Sequence, residues 1–154
     1  MSVLATNKRA RFDYEIITTY DSGLVLLGHE VKSIKTGHIS LRGSYITIMT
    51  DKQKNVSELY LVKANIPLYK YAGTVDDYVA DRPRKILLKK GEINHLIGKK
   101  QEQGLTLIPL KIYTSHSFVK LELAIAKGKK QYDKRQSIKK RELDVKARSL
   151  MKRR

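Results

Sequence analysis

One stretch divides this chain into two unlike parts: Ala126-Lys127-Gly128-Lys129-Lys130-Gln131-Tyr132-Asp133-Lys134-Arg135. Before it, regularly spaced apolar residues and turn signals predict a folded, mainly β domain. After it, residues 127–154 hold 13 Lys and Arg against 3 Asp and Glu, a net +10 of the chain's +17. Because like charges repel and little apolar area can be buried, we expect this tail to be disordered when free and to order on a polyanion.

The segments nearest to this stretch predict antiparallel strands. Residues 105–113 and 118–126 are rich in β-branched and apolar residues and are joined by four polar ones, which favours two neighbouring strands. Pro109 inside the first segment predicts an edge strand or a bulge, because proline cannot donate a hydrogen bond to a sheet. Further upstream, residues 44–50 and 57–64 predict a hairpin with a polar loop.

Residues 12–20 predict the first strand, after a short basic lead over residues 1–11. Asp21-Ser22-Gly23 is a turn signal that should end this strand. Residues 85–88 predict either a brief strand or the approach to a helix.

Two segments have the apolar spacing of helices. An i, i+4, i+7 pattern predicts a helix over residues 29–36, which Gly37 should end. Similar spacing predicts a second helix over residues 90–103. The polar face of the first helix is expected to be exposed and comprises Glu30, Lys32, Ser33 and Lys35.

Several short strands with two or three small helices favour a small closed barrel. An OB-like antiparallel β-barrel with flanking helices, a fold that commonly binds oligonucleotides, fits the count, although strand count alone leaves the topology open. We therefore predict a mainly β domain over residues 1–126 and a basic tail over residues 127–154. Because the tail carries a narrow apolar stripe, we expect it to become helical when bound; the stripe is Leu143, Ala147, Leu150 and Met151.

The residue types argue against an enzyme. The four histidines are scattered over different predicted elements without the spacing of metal ligands: His29, His38, His95 and His116. No nucleophile-elbow or phosphate-loop motif occurs. Without cysteine, the chain has neither a disulfide framework nor a thiolate metal site. We expect no catalytic residue, no metal and no cofactor.

The net charge of +17 indicates an anionic partner. A membrane surface is the weaker choice, because no apolar run is long enough to span and no Trp is present for an interfacial belt. The N terminus lacks the layout of a secretory signal, so the cytoplasm is the expected compartment. Charge alone supports RNA and DNA equally.

The dividing stretch combines cations with an aromatic ring, which suits nucleic acid. Tyr132 supplies a face on which an unpaired base can stack for about 1–3 kcal/mol. Asp133 can accept a hydrogen bond from a base edge or a ribose, and Gly128 lets the backbone approach closely. Phosphate contacts are expected from the surrounding cations Lys127, Lys129, Lys130, Lys134 and Arg135.

Five motifs follow one another along the chain: Asn7-Lys8-Arg9-Ala10-Arg11, Gly23-Leu24-Val25-Leu26-Leu27-Gly28-His29-Glu30-Val31-Lys32-Ser33, Leu87-Leu88-Lys89, Gly104-Leu105-Thr106-Leu107-Ile108-Pro109-Leu110 and the dividing stretch itself. In this order they resemble the SsrA-binding protein family, SmpB. The likeness runs from Asn7 to the C terminus and is highly specific as a set.

The resemblance implies an OB-like barrel that holds the tRNA-like domain of transfer-messenger RNA (tmRNA). It implies a tail that becomes helical in the decoding centre and the empty mRNA channel of a stalled ribosome. The protein would be a monomeric, non-enzymatic factor of trans-translation whose partners are this RNA and the small-subunit rRNA. Alanyl-tRNA synthetase and elongation factor Tu would be reached indirectly, through the RNA.

The resemblance also implies site residues, position by position. For the RNA surface it adds Asn7, Lys8, Arg9, Asp21, Glu30, Lys32 and Leu88 to the junction lysines Lys127, Lys129 and Lys130. For the ribosome it implies Tyr132, Asp133, Lys134, Arg135, Leu150 and Met151. We also expect rRNA contacts from three further cations of the basic tail, Lys139, Lys140 and Arg141. Four residues depart from the family's frequent types: Phe12 and Tyr132 stand in place of His, Asp21 in place of Glu, and His29 in place of an aromatic.

Two other classes of protein remain open at this point. A structural ribosomal protein with an extension embedded in rRNA would share the charge pattern, but it is not expected to carry the ordered Gly-His-Glu-Val-Lys-Ser and Tyr-Asp-Lys-Arg motifs. An RNA-modifying enzyme would need a cofactor loop or a nucleophile constellation, and the sequence has neither.

Overall fold

The computed structural model describes residues 2–73, 75–102, 104–129 and 131–152, and the side chains of residues 131–134, 137 and 150–152 lie outside that description. Within these residues the chain forms seven strands and four helices. The strands are β1 (Ser2–Thr6), β2 (Tyr14–Leu24), β3 (Tyr45–Asp51), β4 (Val56–Val62), β5 (Arg84–Leu87), β6 (Leu105–Ser115) and β7 (Phe118–Gly128). The helices are α1 (Ala10–Asp13), α2 (Gly28–Lys35), α3 (Lys90–Lys100) and α4 (Gln131–Lys152).

The described strands form an antiparallel sheet in the order β1-β6-β7-β2-β5-β4-β3. The sheet curls on itself, because β3 at one end of this order packs against β6 near the other end. Fully buried apolar side chains from several strands fill the interior, and α2 and α3 each add one; they include Ile34, Leu59, Ile86, Leu96, Ile112 and Leu121. The prediction of a mainly β domain with flanking helices is confirmed, and the curled sheet is compatible with an OB-like barrel.

Strand β2 continues through Asp21-Ser22-Gly23, where the sequence predicts a turn, so that prediction is wrong. The Ser22 hydroxyl donates a hydrogen bond of 2.9 Å to the carbonyl of Leu121 on β7. Gly23 pairs with β7 on one side and with β5 on the other. Pairing on both edges therefore overrides the local preference of these residues for a turn.

The chain before β2 also differs from the prediction. Residues 12 and 13 belong to the short helix α1, so the strand begins at Tyr14. The basic lead contains β1, which pairs with β6 and makes β6 an interior strand. Pro109 therefore does not lie at an edge, and it marks the bulge instead: the register of β6 against β7 shifts between Pro109 and Lys111.

The other predicted elements are confirmed with small changes of boundary: the β3–β4 hairpin, the strand β5, the helices α2 and α3, and the β6–β7 pair. Gly37 has φ +85° after α2, as its predicted role in ending the helix requires.

The tail forms helix α4 over Gln131–Lys152, whereas the sequence predicts a helix there only when the tail is bound. Its disorder when free stays a prediction. Strand β7 continues two residues past the predicted domain boundary at residue 126, because Lys127 and Gly128 pair with β6 and β2. The division into domains also stays a prediction.

Candidate nucleic-acid interface

The end of β1 and the loop before β3 enclose a cleft of about 360 Å³, which we call the N-terminal cleft. Its polar and charged lining comes from Thr6, Asn7, Lys8, Arg9, Ser40 and Arg42. Asn7 is fixed at the bulge of β6, because its backbone N–H donates to the Leu110 carbonyl and its side-chain amide to that of Pro109. Lys8 and Arg9 follow it with exposed side chains, which are available to phosphates.

Arg42 was missed by the sequence reasoning. It lies in the loop before β3, where its backbone N–H donates 3.3 Å to the Ser40 hydroxyl. Nothing local distinguishes it from other exposed arginines. Only the folded chain brings this loop beside the cations of the N-terminal lead.

Glu30 and Arg84 form a buried ion pair in which neither side chain is exposed to solvent. Arg84 donates 3.0 Å from Nε to the carboxylate, and Arg82, which is 30% exposed, also donates to it. The Tyr78 hydroxyl oxygen lies 3.1 Å from the same carboxylate. The expected exposure of Glu30 and Ser33 on α2 is therefore wrong, since both are buried.

The environment of Glu30 favours its ionised form. Burial by itself would raise the pKa of this carboxyl, but hydrogen bonds from Arg82, from the Leu27 backbone N–H and from Arg84 outweigh burial and lower the pKa below 4.5. Burial raises the pKa of Tyr78, and the charge of Glu30 adds to the effect. Because its carboxylate is enclosed, Glu30 can act on an RNA only through the residues that it positions.

Asp21 lies on β2 and does not line the N-terminal cleft. Its carboxylate accepts a hydrogen bond of 2.7 Å from the hydroxyl of Tyr113 on β6. Burial, followed by this hydrogen bond, raises the pKa of Tyr113 to about 12. Asp21 thus has a structural partner already, and any contact with RNA would be made in addition to it.

Lys32 and Leu88 differ in exposure. Lys32 is exposed on α2, with its Nζ 5.9 Å from the centre of the Tyr69 ring. Leu88 is partly buried and packs against the core after β5. Lys32 is therefore accessible to a partner, whereas most of the Leu88 side chain packs against the core.

The junction of β7 and α4 is fastened to the N-terminal lead. The backbone N–H of Lys129 donates 2.9 Å to the Asp13 carbonyl, and its Nζ donates 2.8 Å to that of Arg11. Lys127 is exposed just before it. Lys130 lies outside the described residues.

The candidate tail residues with described side chains are exposed on α4: Arg135, Lys139, Lys140 and Arg141. The side chains of the others lie outside the description: Tyr132, Asp133, Lys134, Leu150 and Met151. Two of the four unusual residues keep ring contacts. The Arg9 and Arg141 guanidinium groups lie 5.4 and 5.8 Å from the Phe12 ring centre, and His29 meets the Tyr78 ring edge-on at 4.7 Å.

Neither a membrane helix nor a metal cluster occurs in the described ranges. No helix there is long and apolar enough to cross a membrane. In the same ranges no three His, Asp or Glu side chains are grouped so that they could hold a metal ion.

Comparison with known proteins finds one family along almost the whole length. The family model described as SmpB protein matches residues 4–153. A protein of Thermosipho africanus named SsrA-binding protein is 47% identical, over 99% of both chains. One of the same name from Corynebacterium glutamicum is 46% identical, over 91% of this chain and 81% of its own.

A similar chain is also found among solved structures. It comes from a structure described as "tmRNA-SmpB: a journey to the center of the bacterial ribosome". That chain is 42% identical with a TM-score of 0.63, and the match covers 82% of this chain and 84% of that one.

Proposed function

This chain belongs to the SmpB family, and from that membership we propose that it binds tmRNA, the SsrA RNA, and acts with it on stalled bacterial ribosomes in trans-translation. The observation that carries the proposal is the match over residues 4–153, which includes both the β domain and the basic tail. The protein is an RNA-binding factor and not an enzyme.

We assign the first contact with tmRNA to the β domain. The N-terminal cleft supports this, because Lys8, Arg9 and Arg42 place three cations around one concave surface. Lys32 on α2, together with Lys127 and Lys129 at the junction, offers further phosphate contacts. Glu30 takes part indirectly, by fixing α2 against Arg82 and Arg84.

We assign the tail to the ribosome. Helix α4 presents exposed cations over several turns, a form that suits a narrow channel lined by rRNA phosphates. Tyr132, Asp133, Lys134 and Arg135 would meet the decoding centre, and Leu150 and Met151 would lie further along the mRNA channel. The protein would act as a monomer in the cytoplasm, and alanyl-tRNA synthetase and elongation factor Tu would join through the RNA.

The proposal is tested by measuring the affinity of the full chain for tmRNA and for an ordinary tRNA over a series of salt concentrations. A preference for tmRNA that survives physiological salt is expected of a domain that reads RNA shape. Equal and steeply salt-dependent binding to both RNAs would indicate only a cationic surface. That result would favour the alternative, a structural ribosomal protein.

A further inference from the structure

The connection between β4 and β5 carries aromatic and cationic residues that the proposed function does not use. Tyr69 and Tyr71 are in T-shaped contact, with ring centres 5.6 Å apart. Lys70 Nζ lies 5.5 Å from the Tyr71 ring centre, and Lys32 Nζ lies 5.9 Å from that of Tyr69. We call these four residues the tyrosine patch.

The fold holds the base of the tyrosine patch in place. The Ser33 hydroxyl on α2 donates 2.8 Å to the Pro67 carbonyl, and the Tyr78 hydroxyl donates 2.6 Å to that of Ile66. Arg84 donates 2.7 Å to the Ala64 carbonyl and 2.9 Å to that of Ala80. The buried pair of Glu30 and Arg84 therefore also anchors this connection, so the backbone next to the tyrosines is held in place by hydrogen bonds.

Tyr71 contributes little to the stability of the fold, because 75% of its surface is exposed. A T-shaped contact uses at most one face of each ring. Lys70 is itself exposed and flexible, so it can leave the ring for a phosphate. An accessible aromatic face flanked by cations is the arrangement on which unpaired bases stack.

A cleft of about 210 Å³ opens between the tyrosine patch and the end of α2. The described residues that line it include Lys70 and His38 but no carboxylate. This lining suits an anionic partner, and the exposed aromatic face beside it favours a nucleic acid, whose bases can stack there, over an acidic peptide. The patch also includes Lys32, which belongs to the proposed RNA contacts, so it extends that surface.

We propose that the tyrosine patch binds an unpaired base of tmRNA, which stacks on Tyr71 while Lys70 and Lys32 contact the neighbouring phosphates. This inference rests on the proposed function and adds to it a site that reads single-stranded RNA. The N-terminal cleft contacts phosphates, whereas this site recognises a base that the RNA leaves unpaired.

The test uses the full chain and tmRNA at one fixed salt concentration. Tyr71→Ala is expected to weaken binding by about fivefold to a hundredfold, the loss of one stacked base. Tyr71→Trp, which keeps the stacking face, should stay within about twofold. Phe118→Ala is the matched control: it removes a ring that is 69% exposed at the start of β7 and should leave affinity unchanged.

Two further measurements identify what binds there. Lys70→Ala should reduce the slope of log affinity against log salt by about one, as the loss of one phosphate contact does. Chemical probing should reveal a nucleotide in an unpaired part of tmRNA that the unaltered protein protects and the Tyr71→Ala protein does not. Protection confined to paired nucleotides would overturn the proposal.

The outcomes separate this inference from the proposed function. If the unaltered protein prefers tmRNA and Tyr71→Ala binds as Phe118→Ala does, the tyrosine patch is not a base site and the proposed function stands. If affinity is kept but peptide tagging is lost, the patch contacts the ribosome instead, which also overturns the inference. If the unaltered protein shows no preference for tmRNA, both fail.

Discussion

Glu30 combines two roles that are usually filled by different residues. Its Oε1 accepts a hydrogen bond of 2.9 Å from the Leu27 backbone N–H and so caps the first turn of α2. Its carboxylate also neutralises Arg84, whose guanidinium is buried and anchors the connection between β4 and β5. One side chain therefore fixes both the position of α2 and the base of the tyrosine patch.

Glu30→Gln is expected to lower the free energy of unfolding by about 3 kcal/mol, because it leaves the buried charge of Arg84 without a counterion. The measurement is urea unfolding at neutral pH. Glu92→Gln is the matched control, since Glu92 caps the Lys89 N–H of α3 in the same way at 3.3 Å, but through a hydrogen bond that is exposed to solvent. A loss of unfolding free energy no larger than that of Glu92→Gln would contradict the stabilising role of the Glu30–Arg84 ion pair.

The pH dependence of the same variant is a second test. The folded-state pKa of Glu30 lies below its ordinary value of 4.5. Its ionisation therefore stabilises the fold fully above about pH 4.5, and this stabilisation is lost as the pH falls through the folded-state pKa. The difference in stability between the unaltered protein and Glu30→Gln should shrink over that acidic range. A difference that stays constant down to pH 2 would rule out the ion pair as its source.

Tyr132→Ala is expected to leave tmRNA affinity within about twofold and to reduce peptide tagging on stalled ribosomes by about tenfold, the cost of one lost stacking contact. Tyr132→His is the matched substitution, because histidine also stacks and is the residue type that the family resemblance implies at this position. It should restore tagging. Equal loss of affinity and of tagging by Tyr132→Ala would contradict the separate roles of the β domain and the tail.

At the scale of elements, most of α4 can be removed while every strand of the β domain is kept, although the contact of Arg141 with the Phe12 ring is lost. A chain truncated after Arg135 loses eight Lys and Arg. If these cations contacted tmRNA, the slope of log affinity against log salt would fall by several units, at roughly 0.7–0.9 per phosphate. We expect the slope and the affinity for tmRNA to stay nearly unchanged while tagging is lost. A clear fall in slope would mean that α4 contacts tmRNA, and the boundary between the tmRNA-binding and the ribosome-binding parts of the chain would then lie further toward the C terminus.

The elements that sequence could predict are those determined by nearby residues. Helix α2 follows from the spacing of its apolar residues and from Gly37 at its end. The end of β2 could not be predicted, because the Ser22 hydroxyl is bonded to Leu121, 99 residues away. Strand β1 was missed for the same reason: its pairing with β6 joins the two ends of the domain.

The candidate site shows the same limit. The exposed cations of the N-terminal lead and the tail could be found from composition and from the family resemblance. The burial of Glu30 depends on Arg84, 54 residues further on, and the contribution of Arg42 depends on a cleft that only the folded chain forms. Charge and periodicity therefore locate surfaces, while partners distant in sequence decide which charged residues are exposed.

At the scale of the whole molecule, the basic charge is distributed over two regions that we assign to different RNAs. The N-terminal cleft is part of the β domain and would act before the ribosome is reached. The tail beyond the junction lysines, residues 131–154, carries a net +7 of the chain's +17 and would act on the ribosome. This order of events makes a quantitative prediction about combined variants.

Lys8→Ala combined with Arg42→Ala should weaken tmRNA binding and reduce the salt slope by about two, because each variant removes one phosphate contact. Both side chains are exposed, so folding should be unaffected.

The tagging defect of this variant should disappear at saturating tmRNA, since mass action restores a weakened complex. The defect of Tyr132→Ala should persist at any RNA concentration. When Lys8→Ala, Arg42→Ala and Tyr132→Ala are combined in one chain, tagging at saturating tmRNA should equal that of Tyr132→Ala alone. A cleft variant that saturating RNA cannot rescue would show that the cleft also acts on the ribosome, and the assignment of one RNA to each region would fail.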